Sequence, residues 1–441
     1  MTRPTPISGF PEWLPAQRMV EQQLLDRLRS SFELYGFAPL ETRAVEPLEQ
    51  LLRKGETSKE VYVLRRLQAD GGTDTSDESL GLHFDLTVPF ARYVLENAGR
   101  LHFPFRRYQM QKVWRGERPQ EGRYREFLQA DIDIVDRDTL PGHYEAELPL
   151  VVGDALAGLP IPPIRFQVNN RKVCEGYLLG LGFPDPTPAM QALDKLDKIG
   201  PDGVTGLLSQ AGASAEQAKA ALAFAEISAP DASFADAIGA LGVDHPLIDE
   251  GIAELLRVVE VAREHAPGLV VADMRIMRGL DYYTGTVYEA KLQGYERFGS
   301  VCAGGRYDNL ATSGADRFPG VGLSVGVSRI LGLLFGAGVL SASRQVPTCV
   351  LVALAAEEDR PAADRVAAAL RRRGIATEVS PSAAKYGKQI RFAERRGIPF
   401  VWFPGADGHE VKDIRSGGQV AAEPGSWQPP PADLRAATVR Q

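Results

Sequence analysis

The sequence predicts an α+β fold: a sheet flanked by helices, an inserted helical stretch and a C-terminal α/β unit. Three observations predict it. Residues 106–136, RRYQMQKVWRGERPQEGRYREFLQADIDIVD, read as strand, loop, strand. From about residue 187 to residue 266 the composition shifts to Ala, Gly, Asp and Lys with helical periodicity. After residue 344, apolar strands alternate with helices, as in a parallel-rich βαβ unit.

In chain order, residues 15–36 predict an amphipathic helix. Pro15 suits its first turn, Val20, Leu24, Leu28, Phe32 and Tyr35 form an apolar stripe, and Gly36 ends it. FAPLETRAVEPLEQL should follow as strand and turn. EVYVLRRL and GLHFDLTVPFARYV read as strands on either side of residues 70–79, DGGTDTSDES, an acidic stretch expected to be a flexible loop. In the second of them Asp85 and Thr87 alternate with Phe84, Leu86 and Val88. Residues 137–165 predict a helix and the Pro-rich turn LPIPPI, and VNNRKVCEGYLLGLGF a return to the sheet. Beyond the helical stretch, TCVLVALAA is a near-continuous apolar run that suits a buried strand. A helix over 360–373, the strand IATEVS, a helix over 388–396 and the strand IPFVWFP follow. Arg371 to Arg373 read as a solvated helix end, and PGSWQPPP as an extended tail.

The 106–136 stretch carries the chemistry. Its loop holds Arg115, Arg118, Arg123 and Arg125, with Pro119 and Gly122 as turn residues. Planar guanidinium forks suit phosphate oxygens. In the second strand Phe127, Gln129, Asp131 and Asp133 share one face, and Leu128, Ala130, Ile132 and Ile134 the other. A face with two carboxylates cannot be buried without polar partners, so it meets water or a polar ligand. There is no GxxxxGK[ST], and Gly320, Gly322 and Gly326 are spaced one residue too long for a dinucleotide fingerprint. A bound nucleotide would therefore be held by arginines on the sheet.

Arg115-Gly116-Glu117 at a strand end, with its arginine-rich loop and returning strand, resembles motif 2 of class II aminoacyl-tRNA synthetases. RGLDYYTGTVYE at 278–289 and CAGGRYDNL at 302–310 resemble the two signature peptides of histidyl-tRNA synthetases. GVGLSVGVSRI at 320–330 resembles class II motif 3, so the resemblance covers nearly the whole chain. It implies an antiparallel class II catalytic sheet within residues 1–344, with 187–266 as a helical insertion that helps hold the tRNA acceptor arm. It also implies an anticodon-binding α/β domain over 345–441. The 15–36 helix and the strand at Pro39 correspond to motif 1, which implies a homodimer. The implied activity uses ATP as substrate, with Mg²⁺, to turn L-histidine into its adenylate and pyrophosphate. Transfer to the 3′ end of tRNA(His) follows.

The resemblance also implies residue roles. Arg115 holds the α-phosphate beside the bound histidine, Glu117 meets the adenine amine, and Arg123 reaches the pyrophosphate side. Arg329 stacks on adenine and meets the γ-phosphate, while Arg278 lies near the α-phosphate and the substrate carboxylate. Asp85 and Thr87 grip the α-amino group, and Gln129 fits the amino and carboxylate end. Asp133 and Tyr283 meet the imidazole nitrogens, Tyr282 points to the other side of the same strand, and Tyr307 closes the pocket. Arg115, Gln129 and Arg278 would carry the catalytic step.

Composition bounds these readings. Hydrophobic residues make up 44% and charged residues 24%, as in a water-soluble globular chain of two or three domains. The first residues, MTRPTPISGFPEWLP, lack the pattern of a signal peptide, and no apolar run approaches the ~20 residues of a bilayer span. Cys174, Cys302 and Cys349 are too few and scattered for a disulfide scaffold, which suits the cytoplasm. Net charge is −7, but residues 345–441 hold 14 Lys and Arg against 11 Asp and Glu, a balance of +3, leaving −10 for residues 1–344. Such a chain can still bind phosphate through local patches. Two other readings compete. One is a non-catalytic paralogue acting as regulatory subunit of ATP phosphoribosyltransferase. The other is a pure RNA-binding module, which leaves the paired histidine signatures unexplained.

Overall fold

A computed structural model describes residues 5–52, 60–65, 79–277, 282–405 and 408–440. The chain forms two compact units: Leu25–Leu333 with the residues up to Pro11, and Glu12–Leu24 with Leu334–Gln441.

The first unit is built on a nine-stranded sheet. Its spatial order is Ala38–Pro39, Phe105–Trp114, Glu126–Val135, Gly320–Gly326, Cys302–Tyr307, Thr286–Leu292, Ile164–Asn170, Val270–Asp273 and Ser228–Ala229. Two pairings are parallel, Ala38–Pro39 with Phe105–Trp114 and Ile164–Asn170 with Val270–Asp273. The rest are antiparallel.

Register decides which face does what. Tyr108, Ile132, Leu323, Gly304, Tyr288 and Val168 form one cross-sheet rung. Tyr288 Oη donates to the Glu145 carbonyl 2.8 Å away, in the helix His143–Ala157, so this rung faces helices. The next rung, Gln109, Asp131, Ser324, Ala303, Glu289 and Gln167, must project to the opposite side. The apolar and polar alternation of Glu126–Val135 is thus a division between core and site.

The helix Pro246–His265 closes the 187–266 stretch. Pro246 occupies its first turn, and the His245 ring accepts from Leu247 N at 3.3 Å. Its stripe of Ile248, Gly251, Leu255, Val258, Val259 and Ala262 is buried. A side chain at Gly251 would lie 2.7 Å from the Val173 backbone nitrogen, so only glycine admits the close crossing with Arg171–Gly180. The stretch expected as an inserted lobe therefore ends on a helix packed against Arg171–Gly180 and His143–Ala157. Ser228–Ala229, also within it, forms the sheet's last strand.

Two strand expectations are corrected. In GLHFDLTVPFARYV only the first two residues are strand, the end of Leu80–Leu82, and from Thr87 the chain is the helix Thr87–Asn97. Pro89 falls in the first helical turn, where its missing N–H costs nothing, and Asp85 Oδ1 accepts from Val88 N at 3.1 Å. In VNNRKVCEGYLLGLGF the chain leaves the sheet instead of returning. Asn170 ends Ile164–Asn170 and caps Arg171–Gly180 through Lys172 N. Residues 70–78 of the expected acidic loop lie outside the described residues.

The second unit has the sheet order Thr377–Val379, Val350–Val352, Phe400–Phe403, Glu410–Asp413, Gln419–Ala421. The first three strands are parallel and the last two antiparallel. Val350 and Val352 pack with Val366 and Leu370 of the helix Arg360–Arg372, and Leu351 packs with Ala393 of the helix Tyr386–Arg396. Burial on both faces explains the continuous apolar run of TCVLVALAA. The tail is tied down. Arg373 NH1 donates to the carbonyls of Pro424 at 3.0 Å and Trp427 at 2.7 Å, so it is not merely a solvated helix end. Thr438–Arg440 pairs with Leu340–Ala342. The three cysteines are free and buried. Among the described residues no helix is long and apolar enough to cross a membrane.

Candidate active site

A cavity of about 840 Å³ opens on the polar face of the central strands. Asp85, Thr87, Arg115, Glu117, Arg123, Gln129, Tyr282, Tyr283 and Arg329 all line it. The hairpin Phe105–Trp114 to Glu126–Val135 supplies its floor and one rim. At the hairpin's mouth Arg115 N donates to Arg125 O at 2.8 Å, which fixes the root of the arginine loop. Arg115 Nε donates to Phe84 O at 3.0 Å, and the guanidinium lies 5.1 Å from the Phe127 ring centroid. Arg123 and Glu117 form a partly exposed ion pair of 3.5 Å. Arg329 NH2 donates to the Phe298 carbonyl.

Gln129 Nε2 donates to Ser324 Oγ at 2.7 Å, while Gln129 Oε1 is buried without a hydrogen-bond partner. A buried acceptor on a cavity wall is costly unless a ligand donor reaches it. Ser324 Oγ in turn donates to Asp131 Oδ1. Burial pushes the Asp131 carboxyl up to about 7, against the lowering influence of Arg107.

Tyr282 and Tyr283 precede the strand Thr286–Leu292, which corrects the expectation that they alternate across a strand. Their rings lie 4.1 Å apart, and both border the cavity. The following residue is anchored. Thr284 Oγ1 donates to Asp308 Oδ2 at 2.6 Å, Arg306 Nε reaches Asp308 Oδ1 at 3.0 Å, and Arg306 NH1 reaches buried Glu145 at 2.8 Å. The glycine and tyrosine signature CAGGRYDNL thus contains the support for the tyrosine pair.

Asp133 and Tyr307 do not line the cavity. They are 2% and 1% exposed, and the Tyr307 hydroxyl donates to Asp133 Oδ1 at 2.6 Å. Arg107, fully buried, meets Asp133 Oδ2 at 2.6 Å and lies 4.3 Å over the Phe90 ring. The helix Thr87–Asn97, which carries Phe90, covers this rung. Arg278 lies outside the described residues.

A Cβ on Gly322 would stand 2.1 Å from Asp133 Oδ1 and 3.0 Å from Ile132 O. Gly322→Ala is expected to displace Asp133 and lower stability by about 1–3 kcal/mol, the usual cost of overpacking. Urea unfolding checks this, and a midpoint equal to wild type would show that Asp133 can move freely.

Several lining residues carry no signal in the sequence, Glu60, Tyr124, Lys195, Lys198 and Ser324, and Asp131 was placed on the polar face without a role. Burial and then the neighbouring Glu117 carboxylate raise the Glu60 carboxyl, and Glu60 O accepts from Gly116 N at 2.8 Å. Lys195 and Lys198 come from the helical stretch and offer two more cations. Asp131 alone had a legible signal, since it shares the Gln129 face by period two. Among the described residues no group of three or more His, Cys, Asp or Glu could hold a metal ion.

The family model described as histidyl-tRNA synthetase matches residues 9–330, and that of the anticodon binding domain matches residues 348–417. The histidine–tRNA ligase of Micrococcus luteus is 57% identical, over 98% of this chain and 98% of its own length. That of Cutibacterium acnes is 55% identical over 100% of this chain and 99% of its own. The crystal structure of histidyl-tRNA synthetase from Nostoc sp. PCC 7120 superposes with a TM-score of 0.86 at 34% identity, covering 96% of this chain and 97% of that one. On a family match that spans most of the sequence and on identity carried end to end, the chain belongs to the histidyl-tRNA synthetase family.

Proposed function

We infer that the cavity activates L-histidine with ATP and passes it to tRNA(His), the reaction of a histidine–tRNA ligase. The observation that carries the assignment of residues is the convergence of nine expected side chains, from four separated stretches, on one cavity.

Arg115, seated between Phe84 O and the Phe127 ring, meets the α-phosphate as a histidine carboxylate oxygen attacks phosphorus. A carboxyl–phosphate bond forms, the bond to pyrophosphate breaks, and the negative charge gathering on oxygen is stabilised by a cation held in place beforehand. Glu117 receives the adenine amine, Arg123 the pyrophosphate side, and Arg329 the adenine face and γ-phosphate. Asp85, Thr87 and the orphaned Gln129 Oε1 hold the α-ammonium group. Arg278 supports the substrate carboxylate. The imidazole enters the end walled by Tyr282 and Tyr283, with Asp133 and Tyr307 behind it. In the second step a 3′-terminal ribose hydroxyl attacks the acyl carbon and AMP leaves.

Magnesium would enter with ATP as part of the substrate, as the resemblance implies. When bound it neutralises phosphate charge. Residues 345–441 would read the anticodon, and the chain would work as a cytoplasmic homodimer, as the resemblance implies. The regulatory-subunit reading has less support, because the full-length relatives are named as ligases.

The test is ATP–pyrophosphate exchange without tRNA, run with each protein amino acid in turn. Exchange with histidine alone is expected. Absence of exchange from folded protein would return the weight to the regulatory subunit, with binding to a phosphoribosyltransferase subunit as the next assay.

A further inference from the structure

The polar face of the nine-stranded sheet carries a second cavity, at the end away from the arginine hairpin. It encloses about 430 Å³, within the range of small-ligand sites, and Arg165, Gln167, Ser228, Asp273, Arg275 and Lys291 help line it. None of these residues lines the active-site cavity. We propose that this second cavity binds a nucleoside 5′-monophosphate, with the phosphate at Arg165, Arg275 and Lys291 and a ribose hydroxyl donating to Gln167 Oε1. The site goes beyond the histidine–tRNA ligase reading and does not depend on it.

The first argument is charge. Lys291 stands directly opposite Arg165 across the antiparallel pair Thr286–Leu292 and Ile164–Asn170. Like charges in that position repel, so the pair costs stability unless an anion lies between them. Neighbouring carboxylates do not supply it. Arg165 makes no ion pair or hydrogen bond among the described residues. Lys291 Nζ and Arg275 NH1 each lie 3.8 Å from exposed Asp197, too far for a hydrogen bond. Glu296, on the rim, is exposed, and its Oε1 accepts from Gly294 N at 2.9 Å.

The second argument is that the remaining carboxylate is saturated. Asp273 is fully buried, and its Oδ1 accepts from Arg275 N at 3.1 Å and Arg275 Nε at 3.0 Å. Its Oδ2 accepts from Arg275 NH2 at 2.7 Å and Gln167 Nε2 at 2.5 Å. Four donors fill the about four lone-pair sites of a carboxylate. Asp273 is therefore closed to a ligand and serves to aim its two partners. It fixes the Arg275 guanidinium, and it fixes the Gln167 amide so that Oε1 remains as an acceptor. That Oε1 is buried without a hydrogen-bond partner.

Three cations beside one oriented acceptor suit a phosphate monoester of a sugar. The monoester carries up to two negative charges, and guanidinium forks match its oxygens. Arg165 and Gln167 lie two apart on one strand face, so the acceptor stands roughly 7 Å along from the cation pair. That is comparable with the span from a 5′-phosphate to the ribose hydroxyls. A buried acceptor without a donor is costly, and a hydroxyl supplies one. Inorganic phosphate is too small to reach both places.

The test is calorimetric titration of the full-length protein with ribose 5-phosphate, AMP, adenosine and inorganic phosphate. Ribose 5-phosphate is expected to bind at one site per chain, and AMP at that site and in the catalytic cavity. Lys291→Met should weaken ribose 5-phosphate by about 10- to 100-fold, the worth of a hydrogen bond to a charged group, and Gln167→Leu by about 3- to 10-fold, that of a neutral one. Arg329→Ala, in the catalytic cavity, should not change the ribose 5-phosphate titration. Absence of ribose 5-phosphate binding, or binding untouched by Lys291→Met, overturns the proposal. So does inorganic phosphate or adenosine binding here as tightly as ribose 5-phosphate. If Lys291→Met fails to fold, Arg165→Gln decides, since that side chain is exposed. Weaker ribose 5-phosphate binding in Arg165→Gln supports the site, and unchanged binding overturns it.

Discussion

Arg115→Ala is expected to lower the rate of histidine-dependent exchange by about 10²- to 10³-fold, the usual cost of removing one prepositioned charge donor. KM for histidine should change less, because the guanidinium matters most when the α-phosphate gathers charge. The fold should survive. Arg115 is only part-buried, its guanidinium donates to Phe84 O, and the hairpin ladder beside it is backbone. Arg115→Lys should not restore the rate, since an ammonium lacks the planar fork that Phe127 and Phe84 O hold in place. Single-turnover adenylate formation is the measurement. A rate within about threefold of wild type, far inside the range for such donors, would remove Arg115 from the chemical step.

Arg107→Met should be the most damaging single change to stability. Arg107 is fully buried, pairs with Asp133 at 2.6 Å, and also donates to Gln109 Oε1 and the Leu86 carbonyl, each at 3.3 Å. Methionine fills much of the volume but leaves the Asp133 charge without its partner, a loss of about 3–5 kcal/mol. The diagnostic result is the double variant. Arg107→Met with Asp133→Asn removes both charges and should recover part of that loss, because the Tyr307 hydroxyl can still donate to the amide oxygen. Denaturant unfolding followed by tyrosine and tryptophan signals would read both. A double variant no more stable than the single one would mean that the ion pair is not the source of the effect.

Strand periodicity made part of the site legible. Gln129, Asp131 and Asp133 share a face because side chains alternate, and that holds wherever the strand is placed. The resemblance of four short blocks then supplied the chemistry and, through it, nine residues that meet at one cavity. The failures were local. GLHFDLTVPFARYV carries β-branched and aromatic residues that read as strand, but Pro89 in a first turn and the Asp85 cap make it a helix. Tyr282 and Tyr283 sit beside a strand in sequence, whereas both precede it and line the cavity.

By itself, then, the sequence determined the α+β class, the arginine-bearing hairpin, the C-terminal βαβ pattern and the family. These rest on local periodicity and on residues adjacent in the chain. Only the tertiary structure decided which of two carboxylates lines the cavity. Asp131 and Asp133 are equivalent by spacing, and they differ because Asp133 lies on the rung with Arg107 and Gly322 under the helix Thr87–Asn97, and Asp131 on the rung with Ser324. Gly322 and Ser324 come from a strand nearly two hundred residues away in sequence, as the Gln129 to Ser324 bond shows across 195 positions. The energy of a buried charge depends on such long-range neighbours, which no local pattern encodes.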